Sequence, residues 1–239
     1  MRSTIAPRRV MRTLRRLRRD TSGLALVEFA YVTPIMLLLI CAGGELANYS
    51  ITAMRLSSLA LQVADNSARI GTGDPSQVKV ITEAQVNDIL QGALAQAGNL
   101  NINGTYTEKQ ADNTTQVKNK ARIIISSLEP DPVNAGKNYI HWQRCYGLAT
   151  DYTPQYGEEG DDNLDGMGPA GRQVTAPTGT SIMFVEVHYR YEPLFPVLRS
   201  GMFGLMTYRN FDSVAAMVVR DDRNTTLDNT AGAPVSTCT

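Results

Sequence analysis

Three groups of residues in this 239-residue chain have types and spacings that could do chemistry. The first is Gly23-Leu24-Ala25-Leu26-Val27-Glu28-Phe29, which sets one carboxylate inside an otherwise apolar run. A charged side chain near the centre of a bilayer costs on the order of 3 kcal/mol, so a Glu placed there calls for a functional reason. A cut after Gly23 would create an amino group at Leu24, about 6 Å up a helix axis from Glu28 at roughly 1.5 Å per residue. Amine and carboxylate would then share one membrane depth.

The second group is Asp161, Asn163, Asp165 and Gly166, which match the first half of an EF-hand loop, where alternate oxygens wrap a calcium ion and glycine makes the turn. The position that needs a bidentate Glu is Arg172. Glu158 and Glu159 offer further oxygens, so a non-standard calcium loop stands beside the plainer reading, a solvated acidic loop. Cys145 and Cys238 are the third group, the two cysteines outside the apolar run; Cys41 lies within it and reads as a small packed apolar residue.

His141 and His188 are the only histidines, and neither has zinc-ligand spacing. His188 alternates with Glu186 and Arg190 and reads as part of a surface charge cluster. No nucleophile elbow, phosphate loop or dinucleotide turn occurs, and the expectation is that the chain is not an enzyme.

Charge orients the chain. The first 20 residues hold eight arginines and one acid, Asp20, whereas the remainder holds 15 basic and 22 acidic groups, a net charge of −7. Positive charge beside an apolar span keeps that flank cytoplasmic, so the acidic body is expected across the membrane. No nucleic-acid module follows the arginines, and no nucleic-acid partner is expected. Leu24 to Gly44 is long enough as a helix to cross a bilayer core, with a bend at Pro34. Two other processing sites compete: small residues at Ala42-Gly43-Gly44 would suit signal peptidase, and Cys41 would suit a lipoprotein site but for the large Ile40 before it.

From Glu45 to Arg69 the apolar residues Leu46, Tyr49, Ala53, Leu56, Ala60 and Val63 keep helical spacing, which extends the membrane helix to a stop at Gly71 and Gly73. Thr82-Glu83-Ala84-Gln85 reads as a capping box opening a short helix that stops at Gly98. Strands are expected at 101–107, 121–128, 138–146 and 213–220. The clearest alternation is Met183, Val185, Val187, Tyr189 and Tyr191 on one face of a half-buried strand. Residues 110–120 read as a polar loop or hairpin tip, 151–179 as a flexible insertion and 224–239 as a polar, mobile tail. The fold class is α+β: a long membrane-spanning helix continuing into a domain with an antiparallel sheet of about five strands and a short helix.

The order Gly23, four residues, Glu28, Phe29 resembles the processing site of type IV prepilins, most closely the Flp/Tad branch. Ser22 to Leu39, reading SGLALVEFAYVTPIMLLL, resembles the start of TadE-like and TadG-like pilus assembly proteins, and the specific likeness runs over 22–71. IHWQRC at Ile140–Cys145 and VEVHYRYEP at Val185–Pro193 extend it loosely. The resemblance implies a basic leader, 1–23, cut off by a prepilin peptidase between Gly23 and Leu24, a membrane helix over 24–44 and a periplasmic domain over 45–239. It further implies a single-pass protein of the bacterial inner membrane whose partners are other pilin or pseudopilin subunits and the Tad assembly machinery. In an oxidising periplasm Cys145 and Cys238 would be free to pair. Two alternatives stand: an unprocessed single-pass scaffold or binding domain, and a membrane-anchored metal-dependent enzyme using the loop around Asp161.

Overall fold

Helix α1 runs unbroken from Leu24 to Arg69 in the computed structural model of the chain, which describes residues 23–74, 77–109, 114–195 and 209–238. The leader up to Ser22 lies outside the described residues. Two compact units divide the chain, Met1–Ala47 and Asn48–Thr239.

In the first unit the described part is the start of α1. The Gly23 carbonyl accepts the Val27 N–H at 3.1 Å, so the first helical turn closes directly after the glycine. Pro34 lies inside the helix, where it withholds an N–H from the preceding turn. One residue earlier, Thr33 Oγ1 donates to the Phe29 carbonyl at 2.6 Å. The best 18-residue window has a mean hydropathy of 2.2 and no buried residue. Among the described residues α1 is the one helix long and apolar enough to cross a membrane.

The second unit is built around two apolar clusters. Leu56, Leu59, Ala60, Val63 and Ala64 of α1 are buried, at spacings that put them on one helical face. They join Val86, Leu90 and Ala93 of α2 (Glu83–Ala97) against Ile123, Ile125, Val185, Val187 and Trp142. Helix α2 opens with the expected capping box: Gln85 N–H donates to Thr82 Oγ1 at 3.2 Å and Thr82 N–H to Gln85 Oε1 at 3.0 Å. Its end is at Gly98, as expected.

The main sheet has four antiparallel strands, not five, in the order β5 (Asn138–Tyr146), β4 (Ala121–Pro130), β6 (Ile182–Tyr191), β7 (Arg209–Val218). Two further pairs stand apart from it. Strand β2 (Thr105–Lys109) forms an antiparallel hairpin with β3 (Thr115–Asn119), and β1 (Lys79–Thr82) runs parallel to β8 (Arg223–Asp228). The expected strand at 101–107 starts late because Asn101 to Gly104 is a turn, closed by Gly104 N–H on the Asn101 carbonyl. The expected strand at 213–220 lies four residues earlier at its start, in full register with β6 from Ile182↔Val218 to Tyr191↔Arg209.

Strand β6 is buried on both faces, which corrects the half-buried reading. The cause is segment 151–179. Expected as a flexible insertion, it is laid as a third layer over the sheet face away from the helices. Tyr156, Leu164, Met167 and Val174 pack there on Leu128, Ile140 and Phe184. Its backbone bonds to the edge of β5, with Ile140 N–H on the Asp161 carbonyl and Asn138 N–H on the Leu164 carbonyl. The tail, expected to be mobile except where anchored, begins as β8 and is then tied to β5, where Cys145 N–H donates to the Ser236 carbonyl at 2.8 Å.

Candidate functional site

Gly23, Leu24, Glu28 and Phe29 lie together at the start of α1. Gly23 is the turn residue, Leu24 the first helical residue, and the side chains of Leu24 and Phe29 are exposed. Glu28 sits one turn in and is the only charged side chain between Leu24 and Gly44. A helix beginning at Leu24 sets the Leu24 nitrogen about 6 Å along the axis from Glu28, at roughly 1.5 Å per residue.

Cys145 and Cys238 form a disulfide, with Cα atoms 4.9 Å apart, and Cys41 is free. Arg122, buried on β4, donates from Nη2 to the Cys238 carbonyl at 2.8 Å, and Asn87 of α2 bonds Pro234 and Ser236. The disulfide thus fastens the tail between the sheet and α2.

The three calcium candidates are not gathered. Asp161 Oδ2 accepts the Glu158 N–H, Asn163 donates its N–H to Asp131, and Asp165 pairs with Lys137 at 2.5 Å, which holds its carboxyl below the usual carboxylate range. Glu159 turns instead to Gln143 N–H and Arg144 Nη1. Among the described residues no three His, Cys, Asp or Glu side chains are placed to hold a metal ion. The loop's path is set by pairing with the edge of β5, and that pairing points its carboxylates apart. The chain matches no family model, no curated protein and no solved structure.

Two buried polar clusters escaped the sequence reading. Glu129 of β4, 8% exposed, accepts from Ser127 Oγ, Tyr139 OH and Thr225 Oγ1, and its Oε1 lies 3.0 Å from His141 Nδ1. Burial alone would raise the Glu129 pKa, but these donors, His141 first, hold it below the ordinary value. His141 in turn is raised by its bond to Glu129, which outweighs desolvation. The second cluster corrects the surface reading of His188: the residue is 1% exposed, between Glu186 and Asp212. On β5, Arg144 clamps Glu83 at the first turn of α2, with Nε 3.0 Å from both carboxylate oxygens. Register is the signal that would have found the second cluster, since His188 stands directly opposite Asp212 only once β6 and β7 are paired.

Proposed function

We propose that this chain is a TadE-like minor pseudopilin that takes part in assembling or anchoring a Tad/Flp-type pilus. The observation that carries the reading is the start of α1: a helix that begins at Leu24 directly after Gly23, with Glu28 as its one charged side chain over the next 21 residues. Support comes too from the continuation of α1, whose later half lays Leu56, Leu59 and Val63 on an antiparallel sheet, the architecture the resemblance implies.

In this reading the chemistry is done to the chain. A membrane peptidase cuts after Gly23 and removes the arginine-rich leader; residues 24–44 span the inner membrane with the following domain in the periplasm. The new Leu24 amine, or that of a neighbouring subunit, pairs with Glu28. Pairing between subunits offsets the cost of a carboxylate in lipid only in the assembled state, which favours one axial register.

The test is the amino-terminal residue of the membrane-extracted protein, read by mass spectrometry for wild type and Gly23→Ala in the native host. A mature start at Leu24 that disappears in the variant is expected. A start at Met1 in both would leave an anchored, unprocessed domain, and a start at Gly44 or Glu45 a secreted one; either result removes the pilus reading.

A further inference from the structure

The sheet face under the third layer carries four ionisable side chains in a block. Strand register sets His188 of β6 directly opposite Asp212 of β7 on one side and Arg122 of β4 on the other. His188 Nδ1 is 2.6 Å from Asp212 Oδ1, and its Nε2 is 3.5 Å from Glu186 Oε2, two residues back on the same strand. Glu186 is fully buried, His188 and Arg122 nearly so, and Asp212 is 42% exposed at its side chain. The block thus sets two carboxyl side chains, Glu186 and Asp212, beside two basic ones, Arg122 and His188. Arg190, two residues beyond His188, is turned to Asn210 and Glu108.

What covers this block is the segment between β5 and Gly157. The Tyr152 ring stacks on His188 with centroids 5.4 Å apart and planes 12° from parallel, and Gln155 donates its N–H to Glu186 Oε2 at 3.0 Å. Asp151 lies at the rim, 3.9 Å from Lys118, and the Tyr156 ring packs edge-on against Phe184. Both ends of the cover are glycines in conformations that L side chains rarely adopt, Gly147 at φ 101° and Gly157 at φ 121°. Between these ends the cover rests on His188 and Glu186, and it is also held where Tyr152 OH donates to Asn210 Oδ1 at 3.1 Å and Asn119 Nδ2 donates to the Leu148 carbonyl at 2.8 Å.

We infer that Glu186, His188 and Asp212 form a proton-operated latch, closed over by residues 148–157 while His188 is an imidazolium and released when that proton leaves. Loss of the proton removes the cation 3.5 Å from Glu186 Oε2, which would keep the Gln155 N–H, while among the described residues neither Glu186 Oε1 nor His188 Nε2 has a hydrogen-bond partner. A buried carboxylate without a cation in contact is relieved by water, and lifting the segment that carries Tyr152 and Gln155 admits it.

The direction follows from linkage. Burial opposes charge on His188, but the neighbouring carboxyl groups of Glu186 and Asp212 outweigh it and hold the imidazole above its ordinary 6.5. A group raised in the closed state stabilises that state fully below the open-state pKa, near 6.5, and the stabilisation is lost as pH rises through the closed-state value. The latch does not depend on cleavage after Gly23.

The experiment is a pH titration of the full-length protein in detergent micelles. NMR follows the two histidine rings, with His141→Gln assigning them, and hydrogen exchange follows amide protection. Protection of 148–157, corrected for the intrinsic hydroxide-catalysed rate, is expected to fall along the His188 titration while β6 stays protected. The fall should be about tenfold for each unit by which the closed-state pKa exceeds the open-state one. Asp212→Asn should lower the midpoints of both curves together. A His188 that titrates at or below the free value overturns the latch. So does protection of 148–157 that stays flat across the titration, or an Asp212→Asn variant that moves one curve without the other.

Discussion

Replacing Cys145 and Cys238 together by serine opens a covalent loop whose ends are 93 residues apart in sequence. In the chain-entropy account, a loop of that length constrains the unfolded chain by about 4.7 kcal/mol at 25 °C, and the double variant should lose that much stability. Detachment of the tail adds to the loss, because Arg122 is buried and its Nη2 would forfeit the Cys238 carbonyl. Urea unfolding can be followed through Trp142, the only tryptophan, which is 3% exposed and donates from Nε1 to the Thr225 carbonyl. With a urea m-value of about 2–3 kcal/mol per molar, the midpoint should fall by about 1.5–2.5 M. Denatured, unreduced wild type should show one reactive thiol, Cys41. Three reactive thiols would refute the bond. One thiol with a midpoint shift below about 0.5 M would refute the loop-entropy reasoning and mean that the unfolded chain is already constrained there.

A Cβ at Gly147 would meet the Ala121 carbonyl oxygen at 2.5 Å, at a φ of 101°, whereas one at Gly136, φ 78°, would meet nothing within 4 Å. Gly147→Ala should therefore cost about 2–3 kcal/mol and Gly136→Ala about 1 kcal/mol in the same urea assay, the second being backbone strain alone. The Glu129–His141 pair should support the fold most between about pH 4.5 and 6.5. The depressed Glu129 loses its contribution as pH falls through its folded value, and the raised His141 loses its contribution as pH rises through its own. The difference in unfolding midpoint between wild type and Glu129→Gln, measured across pH, should peak in that window; a monotonic difference would contradict it. A chain beginning at Asn48 keeps every side chain of both apolar clusters, since none precedes Tyr49. Without detergent it should unfold cooperatively in urea with Trp142 buried; aggregation or a non-cooperative transition would show that the second unit does not stand alone.

Where one face of an element meets the helix–sheet core, its residues were legible in sequence. Leu56, Ala60 and Val63 recur at helical steps because one face of α1 is buried, and Thr82-Glu83-Ala84-Gln85 shows its capping role locally. Strand β5 fell at Asn138–Tyr146 for the same reason: its limits are set by its own residues. Strands β1, β3 and β8 were not legible. They are four to six residues long and largely polar, and β1 and β8 meet only because the chain's distant parts do. The burial of His188 was hidden by a similar cause. Polar residues at alternate positions look alike whether they face water or a cover, and the covering segment 151–179 is rich in Gly, Pro and acids, with packing residues such as Tyr152, Tyr156, Leu164, Met167 and Val174 scattered through it. Asp161, Asn163 and Asp165 show the converse: a local pattern suited to calcium, in a loop paired with an edge strand, where Asp161 and Asp165 turn their carboxylates to the Glu158 N–H and Lys137.

Helix α1 answers to two different environments along one axis, and its composition says where the change falls. From Leu56 onward the apolar residues other than Leu61 are buried along one face, while Ser58, Gln62 and Arg69 are exposed, as in a helix laid on a domain. From Leu24 to Ile40 they occupy every face, and Leu26, Phe29, Tyr31, Ile35 and Leu39 are all more than 60% exposed. A helix that is apolar all round is stable only inside a larger core or a membrane, and among the described residues the most apolar window of α1 has no buried residue. In the reading proposed above, what covers these side chains is lipid together with the helices of other subunits. Glu28 distinguishes these two, because a lone carboxylate is unfavourable in lipid and acceptable among helices only if one of them brings a positive charge to the same depth. In the reading proposed above, cleavage after Gly23 supplies such a charge at the start of every helix in the assembly, which is why a single carboxylate so close to Leu24 bears on that proposal.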